Sequence, residues 1–190
     1  MNKFELNKAL KIELNEFDKT INPFQRDDVL FVHPNEYPEY IDVNIEEVLH
    51  DENNEPSKTT TITNKNSNST AKNVVNRNSN SHYFTTNFSD GSLMLVAHNI
   101  YCVNHKMLNE ISVNIANPSK GQITQISYNI TNGNLSSYIT ENGVLLSLSD
   151  NEIRSKLLQI LQVATTYAKT ITMENLIDNG YSKKLNYSER

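Results

Sequence analysis

The chain reads as an α+β protein: an N-terminal helix, an antiparallel β-meander of about five to six strands, and a C-terminal helix that packs on it. Two observations predict the class. Apolar residues recur at helical spacing near each end of the chain, and the stretch between them alternates apolar with polar residues, broken by Gly- and Asn-containing turns.

The first helix is expected over residues 3–21. Leu6, Leu10, Leu14, Phe17 and Ile21 lie on one face at 3–4 spacing, and Pro23 closes the segment. A strand reading competes, since Leu10, Ile12 and Leu14 also alternate. The weak β propensity of Lys, Glu and Asn favours helix. Residues 28–49 look extended. Val29-Leu30-Phe31-Val32 is a compact apolar run ending at His33-Pro34. Ile41, Val43 and Ile45 then alternate with Asp42, Asn44 and Glu46, the pattern of a half-buried strand.

Residues 50–81 are almost purely Asn, Ser, Thr and charge. Only Ile62, Val74 and Val75 seek a core, too little apolar area to offset the entropy of ordering the segment. The expectation is therefore a flexible linker or loop, with a short strand at Thr59–Thr63 as the one exception. The organisation that follows is an acidic N-terminal part (1–49), a polar linker (50–81), a sheet with its packing helix (82–178) and a frayed polar tail (179–190).

Strands are expected at Tyr83–Phe88, Ser92–Val103, Glu110–Ala116, Gln122–Thr131, Leu135–Thr140 and Val144–Leu148. The turns between them contain Asp90-Gly91, Lys120-Gly121, Asn132-Gly133 and Asn142-Gly143, residues that tolerate positive φ. The second helix is expected over 149–172. Ser149-x-x-Glu152 forms a capping box, and Ile153, Leu157, Ile160, Leu161, Ala164, Ala168 and Ile171 make its apolar stripe. A further turn around Met173, Leu176 and Ile177 stops at Asn179-Gly180.

Composition excludes several functions. Cys102 is the single cysteine, so neither an intrachain disulfide nor a Cys-rich zinc site is expected. Five glycines, all widely spaced, write no GxGxxG or Walker A loop, and there is no GxSxG or HExxH. No cofactor or metal is expected. The N-terminus has no apolar h-region and no apolar run is long enough to cross a bilayer, so the expected location is the cytoplasm, of the host cell if the chain is viral. Asn, at 29 residues, and Lys, at 13 against 4 Arg, have A/T-rich codons, the mark of an AT-rich genome such as that of a phage or other mobile element.

Three constellations bear chemistry. His98 and Cys102 share a strand face with His105 just beyond, the residue types of a nucleophile pair or a zinc site, but no fourth ligand is near and both strand residues suit ordinary burial. Asp51 to Glu55 imitates the start of a calcium loop and fails at Pro56 and Ile62, where Gly and Glu are required. The third is the candidate site. Glu36, Tyr37, Glu39, Tyr40, Asp42, Glu46 and Glu47 interleave aromatic anchors with carboxylates, a surface suited to a basic protein partner. The competing reading is a strand that needs charges to avoid unwanted pairing.

Charge supports the third. Residues 1–56 carry 14 acidic and 5 basic side chains, whereas the remainder is mildly basic. Such an acidic segment repels nucleic acid and anionic lipid. The expected function is therefore a non-enzymatic interaction protein, an inhibitor, immunity or regulatory protein that binds a basic partner through its acidic N-terminal third. Two alternatives remain: a structural subunit of a virion or other homo-oligomeric assembly, which orders polar arms against neighbours, and an enzyme of unrecognised class using His98, Cys102 or His105.

Overall fold

A computed structural model describes residues 1–21, 39–48 and 56–169. The element order is α1 (Lys3–Ile21), then nine strands, β1 (Ile41–Val48), β2 (Ser57–Asn64), β3 (Ser69–Asn76), β4 (Ser79–Asn87), β5 (Leu93–Val103), β6 (Lys106–Asn117), β7 (Gln122–Asn129), β8 (Leu135–Glu141) and β9 (Val144–Leu145), and finally α2 (Asp150–Lys169). Every strand pairs antiparallel with its sequence neighbour, giving one sheet in the order β1 to β9. The class is α+β with a helix at each end, as expected; the sheet is larger than the predicted five to six strands.

The larger sheet corrects the linker. Residues 57–76 form β2 and β3, and residues 79–81 begin β4. The polar composition is consistent with this once the strands have neighbours. From Thr60 onward every second residue of β2 is buried, and Ile62, Ala71 and Phe84 lie opposite one another across β2, β3 and β4. Buried hydroxyls find partners across strands: Ser69 Oγ lies 2.7 Å from Thr86 Oγ1. The asparagines serve the turns. Asn64 Oδ1 accepts from the backbone N–H of Asn66 and Ser67, Asn76 Oδ1 accepts from Asn78 and Ser79, and Asn68 takes a positive φ of 52°. Thr, Ser and Asn thus divide between strand and turn by position. A consequence is testable: Thr61→Pro, at the centre of β2, is expected to break the β2–β3 ladder and admit protease between residues 57 and 81. The parent chain is expected to resist cleavage there under the same digestion.

Both helices lie on one face of the sheet. The buried face of α1 is Leu6, Leu10, Leu14, Phe17 and Ile21, as the periodicity predicts. Its start carries a reciprocal cap, Glu5 N–H to Asn2 Oδ1 and Asn2 N–H to Glu5 Oε2, both 2.9 Å. The predicted capping box of α2 forms, with Ser149 N–H donating to Glu152 Oε2 at 2.7 Å and Glu152 N–H to Ser149 Oγ at 3.2 Å. Under the helices the inward side chains line up in rows across the strands. One row is Ile62, Ala71, Phe84, Val96, Val113 and Ile126, each opposite the next across adjacent strands. All six are at most 2% exposed.

Two expected strands end early. β7 stops at Asn129, whose side chain accepts from the N–H of Thr131 and Asn132 and starts the turn. β9 is only Val144–Leu145, because Leu146 and Leu148 turn towards the core. Gly121 is required where the β6–β7 and β8–β9 turns meet. It takes φ 59°, and a Cβ there would lie 2.5 Å from the Gly143 backbone nitrogen. The apolar runs at 29–32 and 173–177 and the end of the α2 stripe at Ile171 fall outside the described residues.

Candidate functional site

The acidic site is built on β1. The register aligns Asp42 with Thr63, Asn44 with Thr61 and Glu46 with Thr59. These three β1 residues therefore share the sheet face opposite the helices, while Val43 and Glu47 point to the helix side. The open face continues into β3 and β4 with Thr70 and Thr85 in one row and Lys72 and Tyr83 in the next. Apart from the one cation, Lys72, this surface of Thr and Tyr offers hydrogen bonding and aromatic contact.

Of the predicted site residues, Glu39, Tyr40, Asp42, Glu46 and Glu47 are exposed, and Glu36 and Tyr37 lie outside the described residues. The structure brings Asp42 and Glu46 together on the open face. It separates Glu47, which reaches Lys58 at 3.9 Å on the helix side. Asp42 meets Lys65 at 3.4 Å, and Glu46 accepts from Asn44 Nδ2 at 3.1 Å. Exposed pairs of this kind contribute at most about 1 kcal/mol, so these carboxylates remain available to a partner. The acidity is also more local than the sequence suggests. Helix α1 carries four acidic and four basic residues, whereas residues 39–48 carry four acidic and none basic.

The His98, Cys102 and His105 constellation does not assemble. His98 is 2% exposed, Cys102 is exposed near the end of β5, and His105 sits in the β5–β6 turn at φ 64°. Among the described residues no group of three or more His, Cys, Asp or Glu side chains is placed to hold a metal ion. His98 has different partners. Its Nδ1 lies 2.8 and 2.9 Å from the two carboxylate oxygens of Asp18 on α1, and its Nε2 contacts the Asn109 side chain on β6. Directly across on β4 is His82, 3% exposed, its ring centre 6.2 Å from that of His98. Burial lowers the pKa of His82; Asp18 opposes the shift and His98 adds to it. A sequence signal for the pair exists, since His82 and His98 both fall at inward positions of adjacent strands.

A second buried polar group was not anticipated. Arg154, in the first turns of α2, is 1% exposed. Its Nη2 donates to the Gly133 carbonyl at 2.9 Å and its Nη1 to Asn7 Oδ1 at 3.4 Å, and the guanidinium lies 5.3 Å from the centre of the Tyr128 ring. Tyr128 Oη donates to the same Asn7 oxygen at 2.8 Å. Among the described residues no carboxylate pairs with this arginine. The group therefore joins α1, β7, the β7–β8 turn and α2 through hydrogen bonds and a ring face.

A cavity of about 350 Å³ opens between α2 and the strands β5 to β8, with Met94, Ile139 and Ile160 in its floor and Glu141 and Lys156 in its wall. It contains no histidine or cysteine. No described helix is long and apolar enough to cross a membrane. Comparison with models of protein families, with curated proteins and with solved structures finds no match.

Proposed function

We propose that this chain is a non-enzymatic binding protein, an inhibitor or regulatory protein whose β1 and adjoining open sheet face engage a basic protein partner. The observation that carries the reading is the placement of Asp42 and Glu46 on that face, beside Glu39 and Tyr40 and in a stretch with no basic residue of its own. Acidic side chains arranged this way steer a cationic partner and fix its register, and the neighbouring Thr and Tyr side chains supply contact area. The case for an assembly subunit rested on a free polar arm, and residues 57–81 are instead built into or between strands of the sheet. The case for an enzyme rested on His98, Cys102 and His105, which are held apart from one another in role and exposure.

The test separates location from net charge. A fluorescent Lys/Arg-rich peptide is titrated with the parent chain, with Glu39→Lys/Asp42→Lys/Glu46→Lys, and with Glu13→Lys/Glu16→Lys/Glu141→Lys, which makes the same change in total charge elsewhere. The first triple variant is expected to lose at least about tenfold in affinity, and the second to lose far less. Equal losses in both, or none in either, would remove the proposed site.

A further inference from the structure

We infer that His82 and His98 form a proton-sensitive latch that holds the last turns of α1 against the sheet. Asp18 is the element of α1 that closes it. That carboxylate, 25% exposed, grips His98 Nδ1 through both oxygens, and Asn109 occupies the other ring nitrogen. His98 is thus fully engaged. His82 lies directly opposite on β4, and its Nδ1 has no hydrogen-bond partner although the side chain is 3% exposed.

The groups facing His82 are few. From α1 comes Asp18, already bound to His98. From β5 comes His98 itself. From β3 the opposite residue is Asn73, and beyond it on β2 lies Thr60, neither of them ionisable. Lys72 and Tyr83, their sequence neighbours, point to the open face by strand alternation. From α2 the nearest buried cation, Arg154, lies over Tyr128 on β7, three strands from β4. Among the described residues, one carboxylate therefore serves two imidazoles.

The consequence follows from that count. A neutral His82 leaves only a bare lone pair at Nδ1. A protonated His82 places a positive charge and an N–H without an acceptor under α1, where the one nearby carboxylate is already engaged by His98. The pKa of His82 is lowered in the closed state, and it returns to about 6.5 once the last turns of α1 lift and admit water. Above about pH 6.5 neither state takes up the proton and the latch is closed. As pH falls from there towards the lowered value, the lifted state binds the proton and the closed state does not. Lifting then becomes more favourable by up to about tenfold per pH unit.

The experiment is amide hydrogen exchange of the full chain from pH 8 to pH 5, corrected for intrinsic rates, in the parent and in His82→Gln. In the parent, opening of Leu14–Ile21 is expected to increase as pH falls below about 6.5, with little change in β6, β7 and the middle of α2. In His82→Gln the opening is expected to be nearly independent of pH. A flat profile in the parent, an unchanged slope in the variant, or an increase spread evenly over the whole chain would each overturn the latch. Should the variant not fold, the His82 ring resonances of the parent decide the matter. They are expected to titrate below the ordinary histidine value, and titration at or above that value would overturn it.

Discussion

Arg154→Ala is expected to destabilise the fold by about 3 kcal/mol, measured by urea unfolding followed by circular dichroism. The truncation empties a side-chain volume that is 1% exposed and leaves the Gly133 carbonyl without its guanidinium donor. It also removes the cation from the Tyr128 ring and one donor from Asn7 Oδ1. Arg154→Met is expected to recover much of the loss, because an apolar chain of similar reach refills the space and avoids burying a charge that no described carboxylate neutralises. A local readout accompanies the global one. Burial raises the pKa of Tyr128, and Arg154 opposes that shift. In Arg154→Ala the tyrosine is therefore expected to ionise at higher pH than in the parent, as seen by ultraviolet difference titration of the folded protein. A loss below about 1 kcal/mol together with an unchanged Tyr128 would show that the group does not join the four elements as described.

Phe17→Ala is expected to cost about 4 kcal/mol in the same assay. Phe17 is 0% exposed and belongs to the single cluster that unites α1, the sheet and α2, so its removal leaves a cavity bounded on several sides. Phe4 on the same helix is 76% exposed, and Phe4→Ala is expected to change stability by less than about 0.5 kcal/mol. The contrast measures whether α1 is part of the core or an appendage. A small effect at Phe17 would mean that the helix docks without supporting the fold, and the latch at its last turns would then have little to hold.

The helices were legible because their signals are local. Leu6, Leu10, Leu14 and Phe17 declare a buried face by spacing alone, and Ser149 with Glu152 declares where α2 begins. The hairpins from β4 to β9 were legible for a similar reason. Asn142-Gly143 supplies two positive φ values between Glu141 and Val144, and the strands on either side alternate. The candidate site was legible in part. Alternation of Ile41, Val43 and Ile45 with Asp42, Asn44 and Glu46 marks a half-buried strand, and the register then sets Asp42 and Glu46 on one face and Glu47 on the other, dividing residues that the sequence groups as one surface. What alternation did not reveal was the Thr-lined surface beside them, because residues 57–76 were read as linker.

That misreading has a physical cause. The apolar area of the segment alone does not offset its ordering entropy. Within a sheet, however, Ile62 and Ala71 share a row with Phe84 and Val96, and the hydroxyls of Ser69 and Thr86 satisfy each other. Neighbouring strands supply what the segment lacks.

The sequence by itself determined the two amphipathic helices, the four Gly-containing turns between Asp90 and Gly143, the α+β class and the acidic character of β1, since each depends on residues within a few positions of one another. The tertiary structure decided the rest: that β2 and β3 exist, that His98 meets Asp18 across 80 positions, and that Tyr128 and Arg154 converge on Asn7 across 121 and 147. Those contacts depend on which faces come together when the meander is covered. A buried polar side chain acquires its partner only at that step, and spacing along the chain carries no record of it.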